Sequence, residues 1–277
     1  MSGPLPPVFL GAGAATAAHW AIFGAPLDAT VSFRPGSRFG PAAIRAASPV
    51  LEEWSPVRGE DLVAHPFADL GDLEFAPGDV EGALGSIAAT VRALGGLRPL
   101  MLGGEHLVSW PAVQALAERF PELRVLQFDA HADLRTDYMG RASSHATVMR
   151  RIAEVVGPER CYQVGIRSGT AAEWDFARCT HFAPHAAALP PAWRRELAGR
   201  PLYVTVDIDF ADPAFAPGTG TPEPGGPTSA DMLAAVDGLA GLDIVGADVV
   251  EVAPAYDPGG ITAILAAKVV RQLLLLA

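Results

Sequence analysis

Six runs of apolar residues, each about the length of a β-strand, recur along the chain and alternate with stretches of helical periodicity. Most runs are apolar throughout rather than at every second residue, which is typical of strands covered on both faces. The alternation of strand and helix predicts one α/β fold with a parallel sheet between helices. The runs lie at 20–26, 97–102, 123–129, 161–167, 201–209 and 242–251.

Helix start and stop signals lie between several of these runs. Ser109 is a candidate N-cap for the helix that follows it, with Pro111 in the first turn, where its missing N–H costs nothing. Gly157 is expected to end a second helix, and Thr228 or Ser229 is expected to cap a third. These signals support helices that cross from one strand to the next.

The overall composition restricts the class of protein. The chain has 277 residues, half of them hydrophobic, and shows no linker or repeat, so we predict a single domain over 1–277 with an N-terminal arm over 1–30. The net charge of −11 disfavours binding to nucleic acid or to anionic membranes, and it is compatible with a cationic substrate. Two cysteines and no convincing targeting or membrane-spanning segment predict a cytoplasmic protein.

Carboxylates and histidines follow four of the predicted strands, at the point where each strand ends. In an open α/β sheet, binding sites form at the carboxyl ends of the strands. In extended backbone, alternate side chains also point to the same side. We therefore expect these groups to converge. They are Glu105 and His106 after the second run, Asp129, His131 and Asp133 after the third, Asp207 and Asp209 after the fifth, and Glu251 after the sixth.

So many carboxylates in one place require a cation. Two like charges about 4 Å apart repel by roughly 4 kcal/mol at an effective dielectric constant of about 20. A single aspartate at a strand end is usually a helix cap or turn former, but four clustered aspartates call for two divalent ions. Carboxylates and imidazoles without a thiolate favour Mn²⁺ over Zn²⁺, with iron, cobalt and nickel as alternatives.

Five segments, in this order, resemble the signatures of the ureohydrolases, also called the arginase/agmatinase family: "LGGEHLVSWP", "FDAHADLR", "SSHATVMRR", "DIDFADPAFAPGTGTPEPGG" and "EVAPAYD". Residues 32–45 resemble the family's N-terminal loop. The resemblance implies a three-layer α/β/α fold, with a central, mostly parallel sheet of about eight strands, and two Mn²⁺ ions per subunit. It also implies that the subunits form a trimer or hexamer.

The resemblance assigns residues to each ion and to the reaction. It implies that His106, Asp129, Asp133 and Asp207 hold one ion, and that Asp129, His131, Asp207 and Asp209 hold the other. A hydroxide bridging the two ions would attack a guanidinium carbon, and Asp133 would protonate the departing amine. Glu251 would pair with the guanidinium, and His145 would act as a proton shuttle.

The segments look more like those of bacterial and archaeal agmatinases than those of arginases, which implies hydrolysis of agmatine to putrescine and urea. Arginases carry asparagines in the loop before His145, where they hold the α-amino acid group. The corresponding loop here, "TDYMGRASS", has none, so the resemblance implies that arginine is not the substrate. Arg141 in this loop is a candidate partner for a carboxylate, so 4-guanidinobutyrate is an alternative substrate. Two other classes are alternatives. A deacetylase-type amide hydrolase would have a single zinc ion and fewer carboxylates. A non-catalytic binding protein would be expected to lack His145 or Glu251, and both are present.

Overall fold

The computed structural model describes residues 8–12 and 18–276. The strands are β1 Trp20–Ala25, β2 Trp54–Ser55, β3 Glu60–Asp61, β4 Phe67–Asp72, β5 Arg98–Gly103, β6 Arg124–Phe128, β7 Cys161–Val164, β8 His181–Ala183, β9 Leu202–Asp207 and β10 Ile244–Val250. The helices are α1 Gly40–Ala47, α2 Val80–Ala93, α3 Ser109–Arg119, α4 Val148–Val156, α5 Ala171–Ala177, α6 Pro191–Leu197, α7 Ser229–Asp237 and α8 Ile261–Leu274.

Eight of the strands form one sheet in the order β4-β1-β5-β10-β9-β6-β7-β8. Every neighbouring pair in this sheet is parallel. Strands β2 and β3 form a separate antiparallel pair. All residues of β9 and β10 are buried, as the continuous apolar runs predict. The predicted parallel α/β sheet is confirmed.

Helices cover both faces of the sheet. The apolar residues of α1, α7 and α8 share one core with Leu202, Val204 and Val206 of β9. Those of α2, α3 and α4 share the other core with Tyr203, whose side chain points to the opposite face of the same strand. Burying a side chain such as Leu or Val contributes about 1.5–3 kcal/mol, so the two cores hold the layers together. The architecture is the predicted three-layer α/β/α sandwich.

The sequence signals located the inner elements well. All six predicted strands are present, as β1, β5, β6, β7, β9 and β10. Thr228 caps α7 and forms a reciprocal capping box with Asp231, and α4 ends before Gly157, whose φ is 95°. The prediction for Ser109 is wrong. It is the first residue of α3, and its side chain forms no capping hydrogen bond.

The predicted N-terminal arm covers residues that have different positions in the structure. Residues 1–7 and 13–17 lie outside the described residues. Trp20–Ala25 forms β1, which lies between β4 and β5 in the sheet, so an arm over 1–30 would include an inner strand. The assignment of 1–277 to a single domain stays a prediction. None of the described helices has the length and apolar character needed to cross a bilayer.

Candidate active site

The four strands whose ends carry the predicted site residues are neighbours in the sheet. Strands β5, β10, β9 and β6 are consecutive, so their carboxyl ends meet at one edge. A cavity of about 300 Å³ opens at this edge. Among its lining residues are His106, His131, Asp133, Asp207 and Glu251. The predicted convergence of side chains from distant segments is therefore present in the fold.

His106 lies at the centre of one group of carboxylates. Its Nδ1 is 3.0 Å from Asp129 Oδ2, 3.1 Å from Asp133 Oδ2 and 3.3 Å from Asp207 Oδ2. His106 and Asp129 are almost completely buried. One small volume thus holds an imidazole nitrogen that follows β5, two carboxylate oxygens that follow β6 and one from the end of β9.

His131 forms a second group with Asp209 and Asp129. The His131 Nδ1 is 3.0 Å from Asp209 Oδ2 and 3.7 Å from Asp129 Oδ1. Asp129 therefore presents one oxygen to each group. The Asp207 carboxylate lies near the His106 group and accepts a hydrogen bond from the backbone N–H of Asp209 at 2.9 Å. This hydrogen bond fixes the two aspartates that follow β9 relative to each other.

The backbone past β5 is positioned by a close approach at Gly104. A Cβ atom built on Gly104 would lie 1.9 Å from the carbonyl oxygen of Leu27, so only glycine fits. The next residue, Glu105, donates its N–H to the same carbonyl at 2.6 Å. The loop after β1 thus holds the segment that carries His106.

Two of the predicted site residues have unusual backbone conformations. Asp133 has a φ of 53° and Glu251 has a φ of 65°. Residues other than glycine rarely adopt this left-handed region, and the cost is on the order of 1–3 kcal/mol for each. Only two further described residues besides glycine, Met139 and His185, share it. Such strain concentrates at functional sites, where the fold forces a side chain to point in a required direction.

The electrostatics of the cavity are unfavourable without added positive charge. Burial, together with Asp133 and Asp209, raises the pKa of Asp129 to about 7. Burial and the neighbouring Asp209 also raise the pKa of Asp207. Burial raises the pKa of Glu251 to about 8. A cation inside the cluster would return these carboxylates to their ionised forms.

Two buried atoms of the cluster lack partners that a metal ion would provide. The Nδ1 of His106 and the Oδ2 of Asp209 make no hydrogen bond within the described residues, despite the short distances around them. His106, Asp129 and Asp133, and likewise Asp129, His131 and Asp209, bring their ligand atoms within 4.8 Å of one another. The donor set of carboxylates and imidazoles therefore fits divalent metal ions.

His145 stands beside this cluster and is held by the loop after β1. Its backbone N–H donates to Thr30 Oγ1 at 3.0 Å, and Thr30 in turn donates its N–H and hydroxyl to the Glu105 carboxylate at 2.7 and 2.9 Å. The His145 ring lies 3.4 Å from the Ser32 hydroxyl and packs edge-on against Tyr138. Burial lowers the pKa of His145, which favours the neutral imidazole.

Arg141 lies outside this arrangement. It is exposed and lines a separate surface depression with Asp79 and Glu81, and it is not among the described residues that line the cavity. Tyr138 and Arg141 exchange two backbone hydrogen bonds, so the chain turns sharply between them, and Tyr138 faces the cavity. The position of Arg141 gives no support to its predicted contact with substrate.

Arg135, and not Arg141, is a cationic side chain that lines the cavity. Its Nε is 3.7 Å from Glu173 Oε2, and its guanidinium lies over the Tyr138 ring, 5.0 Å from the centroid. The Glu173 carboxylate is buried and accepts hydrogen bonds from Thr170 and from the Leu134 N–H. The sequence analysis did not identify either Arg135 or Glu173.

Polar side chains within the strands form hydrogen bonds that support the cluster. The sequence analysis did not identify them either. Gln127 donates to Asp129 Oδ2 at 2.6 Å, and Gln163 donates to Gln127 at 2.7 Å. Thr205 contacts His106, and Asp248 contacts Thr205. The sequence could have indicated them, because each is a polar residue inside a largely apolar inner strand. Burying such a group without a hydrogen-bond partner destabilises the fold, so a partner was to be expected.

The fold and the cavity define a class of α/β proteins that carry a carboxylate and histidine cluster suited to metal ions at the carboxyl edge of a parallel sheet. The Arginase family model matches residues 18–276. An agmatinase from Bacillus subtilis (strain 168) is 46% identical over 266 residues, which cover 92% of this chain and 90% of that protein.

Two further comparisons agree. A guanidinobutyrase from Pseudomonas aeruginosa is 36% identical over 274 residues, which cover 92% of this chain and 85% of that protein. The crystal structure of the agmatine ureohydrolase of Thermoplasma volcanium has a TM-score of 0.83 at 36% identity, and the match covers 93% of this chain and 89% of that one. The chain belongs to the arginase family, which confirms the resemblance seen in its sequence motifs.

Proposed function

We propose that this chain is an agmatinase, an amidinohydrolase that converts agmatine and water to putrescine and urea. The observation that carries the proposal is the convergence of the His106 and His131 groups with Glu251 in one cavity. The similarity to the Bacillus subtilis agmatinase supports agmatine as the substrate. The proposal includes Mn²⁺ as the metal, a homo-oligomer of three or six copies and a cytoplasmic location.

Two divalent ions belong to the proposed site. The His106 group, with Asp129, Asp133 and Asp207, would hold one ion, and His131 and Asp209, sharing Asp129 and Asp207, would hold the other. Bound there, the pair would supply the positive charge that makes water a strong nucleophile near neutral pH. The four carboxylates would be balanced by the charge of the two ions, so the cavity would lose most of its internal repulsion.

Glu251 is the proposed partner of the substrate guanidinium. Its Oε1 already accepts the His106 N–H at 2.8 Å, so the carboxylate is fixed relative to the cluster. The carboxylate also lines the cavity, and its oxygens have lone pairs left for a planar guanidinium. Glu251 would thus present the guanidinium carbon to the nucleophile in one orientation, which lowers the entropic part of the barrier.

Two residues are proposed to move protons. Asp133 lines the cavity and would carry the proton of the nucleophile to the departing amine. His145 has a pKa lowered by burial, so its neutral ring can accept a proton near pH 7. The Thr30 and Ser32 hydroxyls beside the ring hold it toward the cavity.

The charge of the cavity favours a cationic tail on the substrate. Once two divalent ions balance the four aspartates, the lining retains Glu173 and Glu251 against the single cation Arg135. Agmatine carries two positive charges, whereas a guanidino acid is neutral overall. An excess of negative charge therefore favours agmatine.

A guanidino acid such as 4-guanidinobutyrate is the second candidate, because Arg135 lines the cavity and the guanidinobutyrase from Pseudomonas aeruginosa is 36% identical. In that case Arg135, rather than Arg141, would bind the carboxylate. Its pairing with Glu173 and its contact with Tyr138 reduce its availability for that role.

Urea release by the manganese-loaded protein tests the proposal, with agmatine, arginine, 4-guanidinobutyrate and 3-guanidinopropionate as parallel substrates. We expect the highest kcat/KM with agmatine. A preference for 4-guanidinobutyrate that Arg135→Gln abolishes would overturn agmatine as the substrate. Arg141→Gln is the matched control and should leave the substrate order unchanged. Urea from none of the four, at any metal loading, would overturn the amidinohydrolase assignment.

A further inference from the structure

We propose that Thr205, Asp248 and Tyr203 form a buried hydrogen-bond relay that fixes the tautomer of His106 and thereby sets the metal affinity of the His106 group. The inference rests on the metal centre of the proposed function and concerns residues that are not themselves ligands. It assigns a role to polar side chains that lie inside the two central strands.

The relay runs between β9 and β10 and ends on His106. Thr205 and Asp248 are direct partners in the register of the two parallel strands. Thr205 Oγ1 is 2.6 Å from Asp248 Oδ1, and Tyr203 donates its hydroxyl to Asp248 Oδ2, also at 2.6 Å. On its other side, Thr205 Oγ1 lies 2.9 Å from His106 Nε2. All four side chains are fully or almost fully buried.

The direction of each hydrogen bond follows from the available protons. Oxygen–oxygen distances near 2.6 Å are typical of a hydroxyl that donates to an ionised carboxylate. Asp248, as a carboxylate, only accepts, so Thr205 gives its single proton to Asp248. The Thr205 oxygen then has only lone pairs left for His106. The Nε2 atom of His106 must therefore carry a hydrogen and donate it.

A neutral imidazole with a hydrogen on Nε2 has none on Nδ1. The Nδ1 lone pair then faces the oxygens of Asp129, Asp133 and Asp207 at 3.0–3.3 Å. Lone pairs on both sides repel each other, unless a cation lies between them. In this form Nδ1 has no hydrogen to give to the three carboxylates, and its lone pair is free for a cation placed between them. The relay therefore keeps His106 in the one neutral form that can bind a metal through Nδ1.

The burial of Asp248 has no simpler structural reason among the described residues. Its pKa is raised by burial, and it makes no salt bridge with a described Lys or Arg. A buried carboxylate without a cationic partner destabilises a fold, and an apolar residue would pack at lower cost in an inner strand. The hydroxyls of Thr205 and Tyr203 offset part of this cost. Ser109 also hydrogen-bonds to this carboxylate, and the positive charge that His106 and its metal would carry is the one cationic interaction available to it among the described residues.

The test measures metal affinity without substrate. The metal-free full-length protein is titrated with Mn²⁺, and free Mn²⁺ is followed by its electron paramagnetic resonance signal. We expect Thr205→Val to lower the affinity for one of the two ions by about 10–100-fold, the range found for partners of metal-binding histidines. The affinity for the other ion should stay nearly unchanged. Thr205→Ser, which keeps the hydroxyl, should bind both ions nearly as tightly as the wild type.

Thr219→Val is the matched control for packing. Thr219 is fully buried, and its hydroxyl has no hydrogen-bond partner among the described residues, so this change removes a hydroxyl without removing a hydrogen bond. It should leave both affinities unchanged. Wild-type affinity for both ions in a folded Thr205→Val protein would overturn the relay, as would an equal loss of affinity in Thr219→Val.

A second variant keeps the test decisive if Thr205→Val does not fold. In Asp248→Asn, the side-chain amide can donate to Thr205, which would then donate to Nε2 and place the hydrogen of His106 on Nδ1. We expect the same one-site loss of affinity, and unchanged binding would overturn the proposal. A wild-type protein that binds two Mn²⁺ ions but releases no urea would contradict the proposed function while leaving the relay intact.

Discussion

The carboxylate of Glu251 accepts a hydrogen bond from the backbone N–H of His106 at 2.8 Å, although the two residues are 145 positions apart. Each residue follows one of two neighbouring strands, β5 and β10, and the bond joins their ends. The group proposed to orient the substrate is thereby fixed to the backbone of a proposed metal ligand. In the proposed site, this contact would couple the position of the substrate to the position of the metal.

Replacing Glu251 by glutamine should separate binding of substrate from binding of metal. Glutamine can still accept the His106 N–H, but it loses the charge that pairs with a guanidinium. We expect kcat/KM for agmatine to fall by roughly 10–150-fold, because a charge-assisted hydrogen bond contributes about 1.5–3 kcal/mol. Steady-state kinetics give this ratio, and elemental analysis should show unchanged metal content. Full activity in this variant would contradict the proposed role of Glu251 in binding the substrate.

Replacing Asp129 by asparagine should remove metal and activity together. Asp129 presents an oxygen to both histidine groups, so its replacement is expected to weaken the binding of both ions. Wild-type protein should gain about 2.7 kcal/mol of stability at a Mn²⁺ concentration of about 100 times Kd. Thermal unfolding with and without Mn²⁺ measures this gain. A variant that is stabilised as much as the wild type would contradict the shared role of Asp129.

Replacing Gly104 by alanine should disrupt the site from the backbone. The new Cβ would lie 1.9 Å from the Leu27 carbonyl oxygen, so the segment that carries His106 must move. We expect loss of metal binding together with a lower midpoint of denaturant unfolding. Gly85→Ala in the exposed part of α2, where nothing lies within 4 Å of the new Cβ, is the matched control and should stabilise the protein by about 0.5–1 kcal/mol. Similar effects of the two changes would contradict the close-packing argument.

Replacing Arg45 by methionine should destabilise the fold. Arg45 is buried in α1 and donates to both Asp69 oxygens at 2.8 and 2.9 Å, and it also contacts Asp72. Its loss leaves the buried Asp69 carboxylate without its cation, which costs about 3–5 kcal/mol. Equilibrium unfolding with urea as the denaturant measures this difference in the free energy of unfolding.

The exposed pair Arg92–Glu118 supplies the control for Arg45. Arg92→Met should leave the unfolding midpoint nearly unchanged, because solvent screens the pair. If Arg45→Met were as stable as Arg92→Met, the buried pair would contribute nothing to folding. Urea release at saturating substrate should be normal in Arg92→Met.

The inner part of the fold was predictable from the sequence, and its edges were not. A strand covered on both faces must be apolar throughout, so β9 and β10 were evident. The edge strand Phe67–Asp72 is half exposed and ends in polar residues, and His181–Ala183 has only three residues. Neither gives a continuous apolar run, and both form because a neighbouring strand offers free backbone groups.

The proposed metal ligands were predictable because each follows an apolar run at a strand end. Thr205 and Asp248 were not, because each is one polar residue within a run that predicts a strand, and only the register of β9 and β10 pairs them. Arg135 and Arg141 flank the same loop, and the sequence does not indicate which one faces the cavity. The turn between Tyr138 and Arg141 decides that.

The place of β10 between β5 and β9 has a consequence for how the protein is made. In synthesis from the amino end, β5 and β9 are complete before β10 exists, yet they cannot take their final spacing until it inserts. The edge that carries the proposed site therefore assembles only after β10 has been synthesised. In a chain that lacks β10, His106 and His131 follow strands that β10 has not yet joined, so the proposed metal ligands are expected to converge late in folding.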